Sequence, residues 1–122
     1  MLNFRVLPLL AAFSCSVPQI AAAHAILVES TPHAGQTVPL GKLTITLRYN
    51  SRIDAHRSIL SVSADHEAPK HLDLTADPQP NLVHASADLT PGNYTLRWQV
   101  LAIDGHITRG IVPFSVAKAA TQ

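Results

Sequence analysis

A histidine that becomes the first residue of a processed chain offers a metal two nitrogens at once, its α-amine and its imidazole. His24 stands directly after Ala21-Ala22-Ala23, a small-x-small pattern typical of signal cleavage. The amine has an ordinary pKa of about 7.7–8.0 and must shed its proton to bind. No internal histidine carries that pair. A second group of donors is Asp104-Gly105-His106. In an extended segment residues two apart point to the same side, so a carboxylate and an imidazole aim at one point, and Gly105 lets the backbone bend between them. Three nitrogens and one oxygen form the tetragonal set that Cu(II) prefers. Taken alone, a D-x-H stretch is explained as well by a buried Asp–His hydrogen bond or a solvated turn. A terminal histidine alone is equally weak, since some residue must stand there. The two together on one chain are a stronger signal.

The reading depends on export. Arg5 supplies a short positive region, residues 6–20 are largely apolar apart from the break at Pro8, and the small residues before His24 close the pattern. Residues 1–23 therefore read as a secretory signal peptide, against the alternative of a retained amphipathic anchor. The apolar run is too short and interrupted to span a bilayer. Cys15 is the only cysteine and lies inside this segment, so the exported chain has no disulfide and no thiolate ligand. With the first 23 of 122 residues gone, about 99 remain, enough for one modest core. The formal charge of +1 drops to about 0 with Arg5, and the remaining cations are scattered. That argues against nucleic acid or an anionic membrane as partner.

The elements that must position the donors are strands. Leu43, Ile45, Leu47 and Tyr49 alternate with Lys42, Thr44, Thr46 and Arg48, and Tyr94, Leu96, Trp98 and Val100 with Thr95, Arg97 and Gln99. Further strands are predicted from His24, over residues 59–64, 72–75 and 82–87, and over a last segment 111–116. Thr31-Pro32-His33-Ala34-Gly35, Asp77-Pro78-Gln79-Pro80 and Thr90-Pro91-Gly92-Asn93 are turns. About seven short strands and no convincing helix predict an all-β, seven-stranded Greek-key barrel or sandwich over residues 24–117. Residues 118–122 read as a flexible tail.

The combination resembles the CopC copper-resistance family. The matching stretches are His24-Ala25-Ile26-Leu27-Val28-Glu29-Ser30-Thr31-Pro32 with Gly35, residues 43–49, Leu89-Thr90-Pro91-Gly92-Asn93-Tyr94-Thr95-Leu96-Arg97-Trp98, Asp104-Gly105-His106 with Gly110, and Phe114-Ser115-Val116. The resemblance implies a cupredoxin-like β-barrel and a periplasmic role in copper resistance or homeostasis. It further implies a single Cu(II) held by His24, Asp104 and His106, and a CopD-type membrane transporter as functional partner. Two departures follow. Some relatives bind Cu(I) in a Met-rich loop, but Met1 is the only methionine here, so no such Cu(I) site is expected. Some carry an acid near the Cu(II) site where this chain has Ser51, so no fourth ligand or outer-shell acid is expected from that place and water takes its position.

The other histidines read more plainly. His66 and His71 flank the Pro69 loop and are either a weak second site or solvated loop residues, the latter preferred. His33 reads as an exposed turn residue, with a supporting role near the copper as the lesser alternative, and His56 and His84, whose spacing brings in no partner, read as surface or satisfied strand residues rather than ligands. Trp98 reads as core. Arg52 and Arg57 flank Asp54 on a solvated face. Thr108 and Arg109 either hydrogen-bond Asp104 or simply begin a strand. Three functions compete: a copper carrier or buffer, a copper-dependent oxidative enzyme with an amino-terminal histidine chelate, and a metal-free Ig-like interaction module.

Overall fold

The structure is a computed structural model that describes residues 24–119 and Ser16. The remainder of the expected signal segment, Cys15 included, and residues 120–122 of the expected tail lie outside the described residues. Among the described residues there are nine strands and no helix: β1 (Leu27–Thr31), β2 (Thr37–Val38), β3 (Gly41–Tyr49), β4 (Ile53–Ala64), β5 (Lys70–Leu72), β6 (Thr75–Ala76), β7 (Leu82–Leu89), β8 (Gly92–Ala102) and β9 (Ile107–Val116). Two of the nine, β2 and β6, are only two residues long, which leaves the seven expected strands.

The strands form two sheets rather than one closed ring. One has the order β1-β3-β7-β6 and the other β2-β9-β8-β4-β5. Every pairing is antiparallel except β2 with β9. The alternation seen in the sequence is realised as burial. Ile45, Leu47 and Tyr49 face inward from β3, and Tyr94, Leu96, Trp98, Val100 and Ala102 from β8. Val83 and Ala85 of β7 and Val112, Phe114 and Val116 of β9 complete the layer between the sheets. Burial of this apolar area is the main stabilising term, at roughly 25 cal/mol per Å².

Several boundaries differ from the sequence reading; β9, for one, begins at Ile107, four residues before the predicted start. The first strand starts at Leu27, not His24, because the ladder with β3 opens with an extra residue, Val28, between the pairs Leu27–Tyr49 and Glu29–Arg48. The segment predicted over 72–75 is split, with β5 in one sheet and β6 in the other. And β4 begins six residues earlier than predicted, at Ile53. Four residues, 55–58, bulge out there opposite the single residue Val100. Polar side chains stitch the bulge: Asp54 Oδ1 accepts the amides of His56 and Arg57, Ser58 Oγ donates to the Asp54 carbonyl, and Leu101 N donates to Ser58 Oγ. Such a local pattern of polar side chains is hidden from a periodicity count.

Trp98 is core, as its alternation predicts. Its indole meets Tyr49 edge-on at 5.3 Å between ring centroids, and its cross-strand partner is Gly110. A Cβ at residue 110 would lie 2.3 Å from Trp98 Cζ2 and 2.6 Å from Cε2, so the ring occupies the space any side chain would need. At the other end of the sandwich Tyr94 stacks on Phe114 and its hydroxyl donates to the Thr90 carbonyl at 2.6 Å, tying the turn before β8 to the core.

Gly110→Ala is expected to destabilise the fold by about 1–3 kcal/mol through overpacking. For a domain of this size that lowers the thermal midpoint by about 4–8 °C per kcal/mol. A calorimetric scan showing an unchanged midpoint would mean that the indole has room to move aside.

Candidate metal centre

Three chain segments gather at one end of the sandwich. Residues 24–26 lead into β1, residues 50–52 join β3 to β4, and residues 103–106 join β8 to β9. Hydrogen bonds knit them. Ile26 N donates to Asn50 Oδ1 at 2.7 Å, and Asn50 N returns a bond to the Ile26 carbonyl at 3.0 Å. Ile103 N donates to the Arg52 carbonyl at 3.1 Å. Thr108 Oγ1 donates to the Ala25 carbonyl at 2.8 Å.

The β8–β9 connection is a tight turn, closed by Gly105 N on the Ala102 carbonyl and Ala102 N on the His106 carbonyl, both at 2.9 Å. Gly105 has φ +91°, a conformation that favours glycine. Asp104 and His106 do converge, but through this turn and not through strand alternation. Asp104 Oδ1 accepts the His106 amide at 3.1 Å, the Asx pattern of turns. Its Oδ2 takes the His106 Nδ1 at 3.0 Å. The ring of His106, then its amide, holds the Asp104 carboxyl below its ordinary value, so it is anionic at neutral pH. With Nδ1–H donated, the His106 lone pair sits on Nε2, the arrangement seen when a carboxylate orients a ligand histidine.

His24 reaches this turn. Its ring lies 5.5 Å from that of His106, centroid to centroid, at 72°. The three candidate ligands thus meet in pairs, His24 against His106 and His106 on Asp104. Among the described residues no three His, Cys, Asp or Glu side chains are set up to hold a metal ion. In the uncleaved chain the His24 nitrogen is an amide bonded to Ala23, so one donor of the expected set does not yet exist. Three exposed isoleucines, Ile26, Ile103 and Ile107, stand in sequence beside the three candidates.

These positions can be compared with known proteins. A family profile described as "CopC domain" matches residues 27–117. The chain belongs to the CopC family. Protein YobA of Escherichia coli K12 is 32% identical over 102 residues, which cover 77% of this chain and 79% of YobA. The copper transport protein CutJ of Bacillus subtilis is 24% identical over 111 residues, covering 88% of this chain and 20% of CutJ. Among solved structures, CopC from Methylosinus trichosporium OB3b aligns with a TM-score of 0.74 at 22% identity, over 81% of this chain and 99% of that one. PcoC, a methionine-rich copper resistance protein from Escherichia coli, gives 0.65 at 19% identity, over 78% and 100%.

The remaining polar residues of this CopC domain fall as follows. Of the two readings of Thr108 and Arg109 the strand start holds: both lie at the beginning of β9 and neither bonds Asp104, Thr108 serving Ala25 and Arg109 Nε donating to Gln99 at 2.7 Å. Both alternate along an antiparallel strand, so their partners come from neighbours that spacing cannot name. Ser51 Oγ is buried without a hydrogen-bond partner among the described residues. Arg57 lies 3.7 Å from Asp54 and is well exposed, so this pair is solvated as expected. His33 and His66 are exposed turn residues, His56 is exposed on β4, and His71 is exposed on β5.

His84 is a satisfied strand residue, with partners that its spacing did not name. Its Nε2 bonds Asp77 Oδ2 and its Nδ1 bonds Thr46 Oγ1 at 3.1 Å. Thr46 is its cross-strand neighbour on β3, and Asp77 comes from the end of β6, which pairs with β7. Only sheet order brings them together. The Gln79 amide, followed by the His84 ring, holds the Asp77 carboxyl below its ordinary value of 3.8. A depressed carboxyl contributes stability that is complete above the unfolded value and lost as pH falls through the folded one. Asp77→Asn should therefore lower stability at neutral pH and flatten the acid limb of the stability profile below about pH 4. Denaturant unfolding across that range is the measurement, and superimposable acid limbs in the two proteins would contradict it.

Proposed function

We propose that the exported chain, trimmed to begin at His24, binds one Cu(II) ion through the His24 amine and imidazole, the His106 imidazole and the Asp104 carboxylate. It acts as a periplasmic copper carrier or buffer. The observation that carries this reading is the meeting of His24 and His106, from opposite ends of the domain, with Asp104 already bonded to His106. The donor set is chemically apt. Imidazole and amine nitrogens with one carboxylate oxygen suit a tetragonal Cu(II) ion. Each carboxylate oxygen has a second lone pair, so Asp104 can approach the metal and still orient the turn. These three residues supply four donor atoms, so the set needs no fourth side chain.

Copper is what the relatives of stated function handle: CutJ in transport and PcoC in resistance. The methionine-rich character of PcoC is absent here, because trimming removes Met1 and leaves no soft ligand for Cu(I). An anionic Asp104 favours Cu(II) over Cu(I), which opposes redox cycling and supports a carrier over an oxidative enzyme. Among the described residues no helix is long and apolar enough to cross a membrane. A CopD-type membrane transporter is the functional partner proposed for this carrier.

Two measurements test the reading. A protein carrying one extra residue ahead of His24 is expected to bind Cu(II) about 100-fold or more weakly, since it loses a direct ligand where loss of an outer partner alone costs about 10–100-fold. Its paramagnetic resonance spectrum should show fewer coordinated nitrogens. Equal affinity and an identical spectrum would remove the amine from the site. Separately, the copper-loaded protein mixed with ascorbate should produce no sustained peroxide. Continuous turnover would make it an oxidative enzyme.

A further inference from the structure

We propose that Thr108 and Asn50 are positioning residues for the copper site, clamping residues 25 and 26 so that His24 stays within reach of the Asp104–His106 turn. The inference rests on the copper reading above. Residues 24–26 belong to no strand, so no ladder holds them. Their backbone is held instead by two side chains and one main-chain bond from Asn50. The Thr108 hydroxyl donates to the Ala25 carbonyl at 2.8 Å. Asn50 Oδ1 accepts the Ile26 amide at 2.7 Å while the Asn50 amide bonds the Ile26 carbonyl. The Ala25 side chain is buried, which adds an apolar anchor between the two.

The placement of Thr108 is what makes it specific to the site. It lies two residues beyond His106, on the strand that leaves the turn. Its bond ends on the residue next to His24. One hydrogen bond therefore joins the two ligand-bearing segments directly, with no intervening element. A chain start without such ties frays. Every dihedral left free in the apo protein must be frozen again when a metal is bound, and ligands held in place beforehand avoid that cost. Loosening residue 25 thus weakens binding without removing a donor atom from the metal.

The test uses protein exported from cells that express the full chain, with mass spectrometry showing that it starts at His24. Thr108→Val keeps the shape and removes the hydroxyl; Thr108→Ser keeps the hydroxyl. Asn50→Ala removes the acceptor from Ile26 on the opposite side. Cu(II) affinity is measured by competition with glycine, and apo amide exchange is read at Ile26. Thr108→Val and Asn50→Ala should each bind Cu(II) about tenfold more weakly, the size expected for one lost hydrogen bond. Both should show faster exchange at Ile26 and keep the wild-type resonance spectrum of the loaded form. Thr108→Ser should restore wild-type affinity. Wild-type affinity in both folded variants, or a Thr108→Ser protein as weak as Thr108→Val, would overturn the clamp. If one variant fails to fold, the other decides by the same readings. If the wild-type protein itself does not bind Cu(II), the copper reading falls and the clamp with it. A binding wild type beside indifferent variants removes the clamp alone.

Discussion

A metal site that starts at a chain terminus works only if the terminus is held still. Free ends lose order easily, and a chelating residue that wanders is a poor chelator. In this CopC domain the constraint is met by one residue at the start of β9 and one in the β3–β4 connection. Thr108 and Asn50 grip consecutive residues, and the buried methyl of Ala25 sits between them. The extra residue at Val28 then lets β1 join its ladder with a change of direction, so that the backbone before it runs toward the β8–β9 turn.

The turn itself holds the two proposed ligands together by its own hydrogen bonds. Gly105 takes the conformation that other residues resist, and Asp104 bonds both the amide and the ring of His106. One carboxylate thus shapes the backbone, sets the imidazole and carries the negative charge suited to a divalent ion. Behind the turn stand the longest strands, β4, β8 and β9, whose register is continuous through Trp98 and Gly110. A rigid sheet with a short loop at its end holds ligands more accurately than a long loop would.

The proposed preference for Cu(II) rests on omission as well as on placement. No cysteine or methionine remains beyond residue 15, so the soft donors that would attract Cu(I) are missing. The histidines away from the turn do not gather into a second set. His84 is engaged by Asp77 and Thr46, and the others are dispersed on exposed positions.

Much of this was legible in the order of residues. Period-two alternation in β3 and β8 gives burial directly, because neighbouring side chains on a strand must point to opposite faces. The small residues before His24 and the D-G-H stretch supply the proposed donors by type, since a metal's preferences depend on the atoms offered. What spacing could not supply were the partners of polar side chains. The meeting of Thr108 with Ala25, of His84 with Asp77 and Thr46, and of Trp98 with Gly110 depends on which strands lie side by side. That order is settled by the packing of whole sheets, a cooperative outcome with no local signature. Even the closeness of Asp104 and His106, right in its result, came from a hydrogen-bonded turn and not from the extended geometry that alternation suggests.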